Sequence, residues 1–197
     1  GDDSAARVGP HLSKMFAALS AVEASDDGAR MASFDGEVVP LGVALEDRDA
    51  IKWLVKVERA MRVAVAASLQ KALAGVDGDD VDGWLAATPT QAAVLATQIS
   101  WAAAMDAAVA AGDLAGPAAA IKAKLEKLAA AVVADAGGED LALRRRKREQ
   151  LIVEVAQQRD ATAALGACGE HTAFEWARQL RFYAVDPTGP GLAGRLA

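Results

Sequence analysis

The residues able to do chemistry are few and scattered. His11 and His171 stand near opposite ends of the 197-residue chain, and neither has a neighbouring ligand set. Cys168, the one cysteine, lies three positions before His171. That spacing suits a metal, but a structural site needs two more ligands and none is spaced to supply them. Cys168 is therefore read as a small buried thiol near a helix end. GPGLAG, residues 189–194, formally matches G-x-G-x-x-G. Such glycines bind pyrophosphate only between a strand and a helix N-terminus, and here they fall in a Pro-containing tail, which reads as linker. No G-x-x-x-x-G-K-[ST] run occurs in these residues. RRRKR, residues 144–148, could serve nuclear import or nucleic-acid binding. The plainer reading is a solvated helix face, or one that meets an acidic partner, because Glu139, Asp140 and Glu149 flank it. No acid/base or nucleophile constellation emerges, so the sequence points away from an enzyme.

The totals point the same way. A net charge of −6 argues against a general nucleic-acid binder, which needs a cationic face to release counterions. A single cysteine excludes an internal disulfide and suggests a reducing compartment. No apolar run is expected to reach the length of a membrane span, and no signal peptide is visible. The chain opens on Gly1, within what reads as mid-domain, and is expected to be an excerpt from a longer polypeptide.

The elements that must position these residues are mostly helices, as a chain of about one-quarter alanine requires. Residues 11–24 are predicted helical, with Leu12, Met15, Phe16, Leu19 and Val22 on one face. Asp35-Gly36 between two apolar runs predicts a β-hairpin at about 31–41, with Pro40 on an edge strand. A long helix follows from Asp47 to Gly75, bearing Trp53, Leu54, Val57, Met61, Val65, Leu69 and Leu73. WLAATPTQ, from Trp84, is read as a short turn. The next helix spans Thr90 to Ala111 and ends at Gly112. Leu114, Ala118, Ile121, Leu125, Leu128 and Val132 form a coiled-coil-like seam. A last helix from Glu139 to Leu165 precedes the aromatic stretch. Trp53, Trp84 and Trp101 are read as core, and Gln98, Gln157 and Gln158 as polar rims or buried hydrogen-bonding partners. The fold class expected is all-α, an elongated antiparallel helical bundle or rod with one small β-hairpin insert.

Five segments, read in order, resemble the C-terminal part of the linker of dynein heavy chains. MASFDGEVVPL, 31–41, is similar to that family's apolar-(D/E)-G-E-V-P segment, and IKWLVKVERAM, 51–61, to its W-L-x-x-(V/L)-E-x-x-M helix. The spacing of Trp84, Pro89, Gln91, Gln98 and Trp101 resembles W-x-x-x-x-P-x-Q-x-x-x-x-x-x-Q-x-x-W. RRRKREQLIVEVAQQRD, 144–160, resembles a basic-then-apolar helix of the family, with Gln157 where His is frequent. FEWARQLRFY, 174–183, is similar to F-x-W-x-x-Q-L-R-(Y/F)-Y. Order and spacing hold from about Lys14 to Tyr183.

The resemblance implies a non-catalytic mechanical arm whose residues 1–183 form a linker-like rod, with 184–197 a connecting tail toward a following module. It implies an AAA+ ring of the same heavy chain as partner, with microtubules and other dynein subunits reached through the whole motor. It implies ATP and Mg in that ring and no cofactor in this segment, with no nucleic-acid or membrane partner. A cytoskeletal setting follows, the axoneme of a cilium or flagellum in preference to the cytoplasm. Phe174, Trp176, Arg178, Gln179, Leu180, Arg181, Phe182 and Tyr183 are the expected junction with the ring, and Asp35, Gly36 and Glu37 a candidate hairpin contact. The rival expectation is a stand-alone helical scaffold or adaptor binding a partner helix through the seam at 114–132.

Overall fold

The computed structural model describes residues 8–25, 28–44, 49–134 and 141–167. The expected junction residues 174–183, with Cys168, His171 and the glycine-rich tail, lie outside them. Two compact units divide the chain after Ala67.

The first unit opens with a 3-10 turn, Gly9–His11, and a single helical turn α1, Leu12–Met15. Three antiparallel strands follow, β1 (Leu19–Ser25), β2 (Gly28–Ser33) and β3 (Val38–Pro40), in that order across the sheet. The predicted helix over 11–24 is thus replaced by one helical turn and a strand. Steps of three and four between Leu12, Met15, Phe16, Leu19 and Val22 fit a helix, but pairing of Val22 with Met31 and Glu23 with Arg30 prevails. A register shift between Leu19 and Ala21 lets Leu19 stay buried despite the spacing. Met31 pairs in turn with Val39, and Pro40 closes the outer strand, where a missing N–H costs no ladder bond.

Helix α2, Ala50–Gly75, supplies residues to both units. In the first, Leu12, Leu19, Trp53 and Val57 form one buried cluster. Ala29, Val39, Leu41, Ala60 and Ala64 form another. The buried line on α2 therefore runs Trp53, Val57, Ala60, Ala64, and Val65 is exposed instead of anchoring the core as expected. Alanines at 60 and 64 leave room for the side chains of Val39 and Leu41.

The second unit holds the end of α2 and four further helices: α3 (Val81–Ala87), α4 (Thr90–Ala111), α5 (Ala115–Ala134) and α6 (Leu141–Ala167). Of the residues read as a turn from Trp84, the first four, through Ala87, belong to α3, which Asp80 caps by accepting the Gly83 N–H at 2.8 Å. Helix α4 matches its predicted bounds, entered through Pro89 and closed by Gly112. It is long and apolar enough to cross a membrane by length and composition, contrary to expectation. Alanine supplies much of that apolarity, and Ala92, Ala93, Ala96, Trp101, Met105 and Ala108 are buried as on a core helix. Helix α6 packs against both α4 and α5. Ile121 and Leu128 of the predicted seam are buried, whereas Ala118 is exposed. Mostly helical with one small sheet, the architecture agrees with the expected class apart from the extra strand.

Candidate functional site

At the hairpin, Gly36 adopts φ +85°, a left-handed conformation that glycine takes without steric cost. Its N–H donates to the Ser33 carbonyl at 3.2 Å, and the Ser33 N–H donates to the Glu37 carbonyl at 2.9 Å. The Ser33 hydroxyl accepts the Glu37 N–H at 3.1 Å. This locked turn exposes Asp35 and leaves Phe34 68% accessible, while Glu37 is half-buried. Asp35, Gly36 and Glu37 are therefore brought together at one tip as an apolar-acidic feature, with Phe34 as a neighbour that the sequence reading passed over.

Part of the basic run on α6 departs from the readings made of it. Lys147 and Arg148 are buried. The Lys147 ammonium donates to the carbonyls of Thr88 at 2.8 Å and Leu85 at 3.4 Å, at the end of α3. The Leu85 carbonyl also accepts the Thr88 N–H at 3.4 Å, and a cation at this end of the helix meets the negative end of its dipole. Arg148 Nε donates to Asp82 in the first turn of the same helix at 2.9 Å. Two residues of α6 thus grip both ends of α3. Arg145 and Arg146 are exposed. A signal was available: stepping back from Leu165 through Thr162, Gln158, Val155 and Leu151 lands on Lys147 and Arg148.

Trp84 joins α3 to the end of α2. Its indole N–H donates to the carbonyl of fully buried Ala72 at 3.0 Å, and the Thr88 hydroxyl donates to the Trp84 carbonyl at 2.6 Å. Gly75 lies beneath the ring, so close that a Cβ there would stand 2.7 Å from Trp84 Cδ1. The Lys124 ammonium sits 5.9 Å from the ring centroid and donates to the Val76 carbonyl at 3.1 Å. Burial pushes the Lys124 pKa below its ordinary value, and nearby Asp77 only partly opposes this.

Between α4 and α6, Gln98 Nε2 donates to Glu154 at 2.8 Å, and Gln158 Nε2 donates to its other oxygen at 2.9 Å. Gln158 is buried and Gln157 exposed, which separates two residues that sequence alone left equivalent. Trp101 donates from Nε1 to the Thr162 hydroxyl at 3.2 Å, beside Met105. Trp53 is buried in the first unit. Among the described residues, no three of His, Cys, Asp and Glu come together as a metal-binding group.

No family model matches the chain. It is similar to a cytoplasmic dynein heavy chain of Neurospora crassa, 32% identical over 200 aligned positions and 93% of this chain. A cytoplasmic dynein heavy chain of Dictyostelium discoideum is 29% identical over 90% of this chain. An axonemal heavy chain, number 11 of Sus scrofa, is 29% identical over 49% of it. The chain spans about 4% of the length of the two cytoplasmic relatives and 2% of the axonemal one.

Proposed function

We propose, from the premise that this chain belongs to the dynein heavy chain family, that it is a non-catalytic mechanical linker segment passing ATP-driven change in an AAA+ ring into microtubule-based movement. The observation that supports the reading is where its landmarks lie. Trp53 and Trp101 are core residues, Gln98 bridges α4 to α6, and the basic run grips α3. Residues that carry the family resemblance are spent on holding helices together. Packed, hydrogen-bonded helices transmit strain instead of absorbing it, which is what an arm requires. The stand-alone adaptor is less well supported, because Ile121 and Leu128 of its proposed docking seam are already buried within the chain.

In this reading residues 1–183 form the arm and 184–197 lead toward the following module. Phe174, Trp176, Arg178, Gln179, Leu180, Arg181, Phe182 and Tyr183 form its base against the ring, and the tip at Asp35, Gly36 and Glu37 is a second contact. ATP and Mg bind in the ring and not in this segment. Microtubules and the other subunits are met through the whole motor, in a cytoskeletal setting. The finer assignment to an axoneme is checked by locating the tagged heavy chain in ciliated cells.

The deciding experiment places Trp176→Ala in the full heavy chain. ATP hydrolysis should persist while microtubule gliding slows severalfold. Gliding at the unaltered speed would overturn the proposed base, and ATP turnover by the isolated chain would overturn its non-catalytic assignment.

A further inference from the structure

The small sheet of the first unit has an outer face that is apolar where water would be expected to meet polar residues. Met31 pairs with Val22 on one side and Val39 on the other, and this row packs on the core beside Ala60 and Ala64 of α2. Side chains alternate along a strand. The row of Ala21, Ala32 and Val38 therefore faces away from α2, and Phe34 is next in that alternation, at the turn. Pro40 shares the face, paired with Arg30, whose ion pair with Glu23 at 2.9 Å closes the far end. An antiparallel sheet with one covered face normally turns polar side chains to water on the other. Here β3 reads Val38-Val39-Pro40, with Val38 51% and Phe34 68% accessible. Phe34 is the one exposed aromatic among the described residues. Contiguous apolar surface rimmed by charge marks an interaction site.

We infer that this face docks one amphipathic helix of a partner protein, its aliphatic stripe over Ala32, Val38 and Pro40, with Phe34 as the anchor and a lysine or arginine beside the stripe. The dimensions suit that occupant. Three strands about 4.8 Å apart span about 10 Å between the outer axes, and one helix with its side chains is about 10 to 12 Å across. β3, three residues at about 3.4 Å each, gives room for about two helical turns. Charge suits it too, since the turn Phe34-Asp35-Gly36-Glu37 holds two acidic residues and no cation. A basic side chain lays its apolar stem along such a surface and carries its charge to the acidic edge. The turn is already held by three hydrogen bonds around Ser33, so little further order is lost when Phe34 is covered. The inference rests on the register and exposure of the sheet and not on the mechanical reading.

The test is fluorescence anisotropy of the 197-residue chain with two labelled alanine-based peptides of about 16 residues, long enough to hold a helix. Both carry a leucine stripe at steps of three and four, flanked by lysine in one and by glutamate in the other. The lysine peptide should bind saturably, one-to-one, and about tenfold more tightly than the glutamate peptide. Phe34→Ser and Val38→Ser should each weaken it about tenfold, while an unchanged melting transition confirms a folded chain. Asp35→Lys should invert the order of the two peptides. Val153→Ser, at an exposed apolar position on α6, should leave binding unchanged. Equal affinity for the two peptides would overturn the inference as mere apolar adsorption. So would binding that survives Phe34→Ser in a folded chain, or no saturable binding at all. Sedimentation showing self-association that Phe34→Ser abolishes would overturn it in favour of a second copy as the occupant.

Discussion

Lys147 donates to the Thr88 carbonyl at 2.8 Å across 59 residues of sequence, from the middle of a basic run to the end of a helix. A cluster that reads as a surface feature is thereby part of the interior. Lys147→Met should leave the Leu85 and Thr88 carbonyls buried without their cation and cost about 2 to 3 kcal/mol. Urea denaturation checks this, and Arg145→Ala, at an exposed position, should change stability by no more than about 0.5 kcal/mol.

Gly75→Ala offers a test with opposed signs. Helix propensity favours alanine by about 1 kcal/mol in a helix interior, and by less at Gly75, the last residue of α2. The added methyl would meet the Trp84 ring at 2.7 Å, and the indole is held by its bond to Ala72. Overpacking of this kind costs about 1 to 3 kcal/mol, so the net effect is expected to be destabilising. A higher melting temperature for the variant would show that the ring moves freely.

At the hairpin, Gly36→Ala must hold an alanine at φ +85°. The expected cost is about 1 to 2 kcal/mol. Hydrogen exchange should quicken at Ser33 and Glu37, whose amides close the turn, and remain unchanged in α6.

Lys124 gives a pH prediction. Burial lowers its folded-state pKa from the ordinary 10.5, so the unfolded chain binds this proton more tightly. Below the folded pKa both states are protonated and the burial penalty is fully present. As pH rises from there toward 10.5 the folded chain loses the proton first, and stability contributed at this site rises. Lys124→Met should therefore remove a positive component from the slope of stability against pH in that alkaline window. Parallel slopes for the two chains would refute it.

Legibility from sequence tracked how local the cause was. Pro89 and Gly112 bracket α4 so firmly that its bounds follow from adjacent residues. Asp35-Gly36 likewise declares its turn. Leu19 and Val22 misled because their strand is selected by partners at Ser33 and Met31, which no helical step encodes. Helix α3 was missed where Trp84 and Pro89 suggested a turn, although Asp80 was in place to cap it. At the candidate site the hairpin tip was visible, since three consecutive residues make it. The grip on α3 was not, because it joins Lys147 to Thr88 and Arg148 to Asp82 across a fold that had first to exist. The Thr97 hydroxyl, buried with no partner among the described residues, is of the same kind: only a three-dimensional neighbourhood decides whether a group is paired.

The basic run also has a consequence for ionic strength. Of its five cations, Lys147 and Arg148 are committed inside and Arg144 is half-buried, which leaves two exposed. Binding to a polyanion weakens with salt in proportion to the number of phosphates neutralised, at a log–log slope of about 0.9 per contact for duplex DNA. Five cations on a solvated face would give a slope of about 4.5 by that rule, and two give about 1.8. At physiological salt this stretch is thus a feeble polyelectrolyte ligand, and a motif that spells attraction on paper is, in the folded chain, partly a fastening.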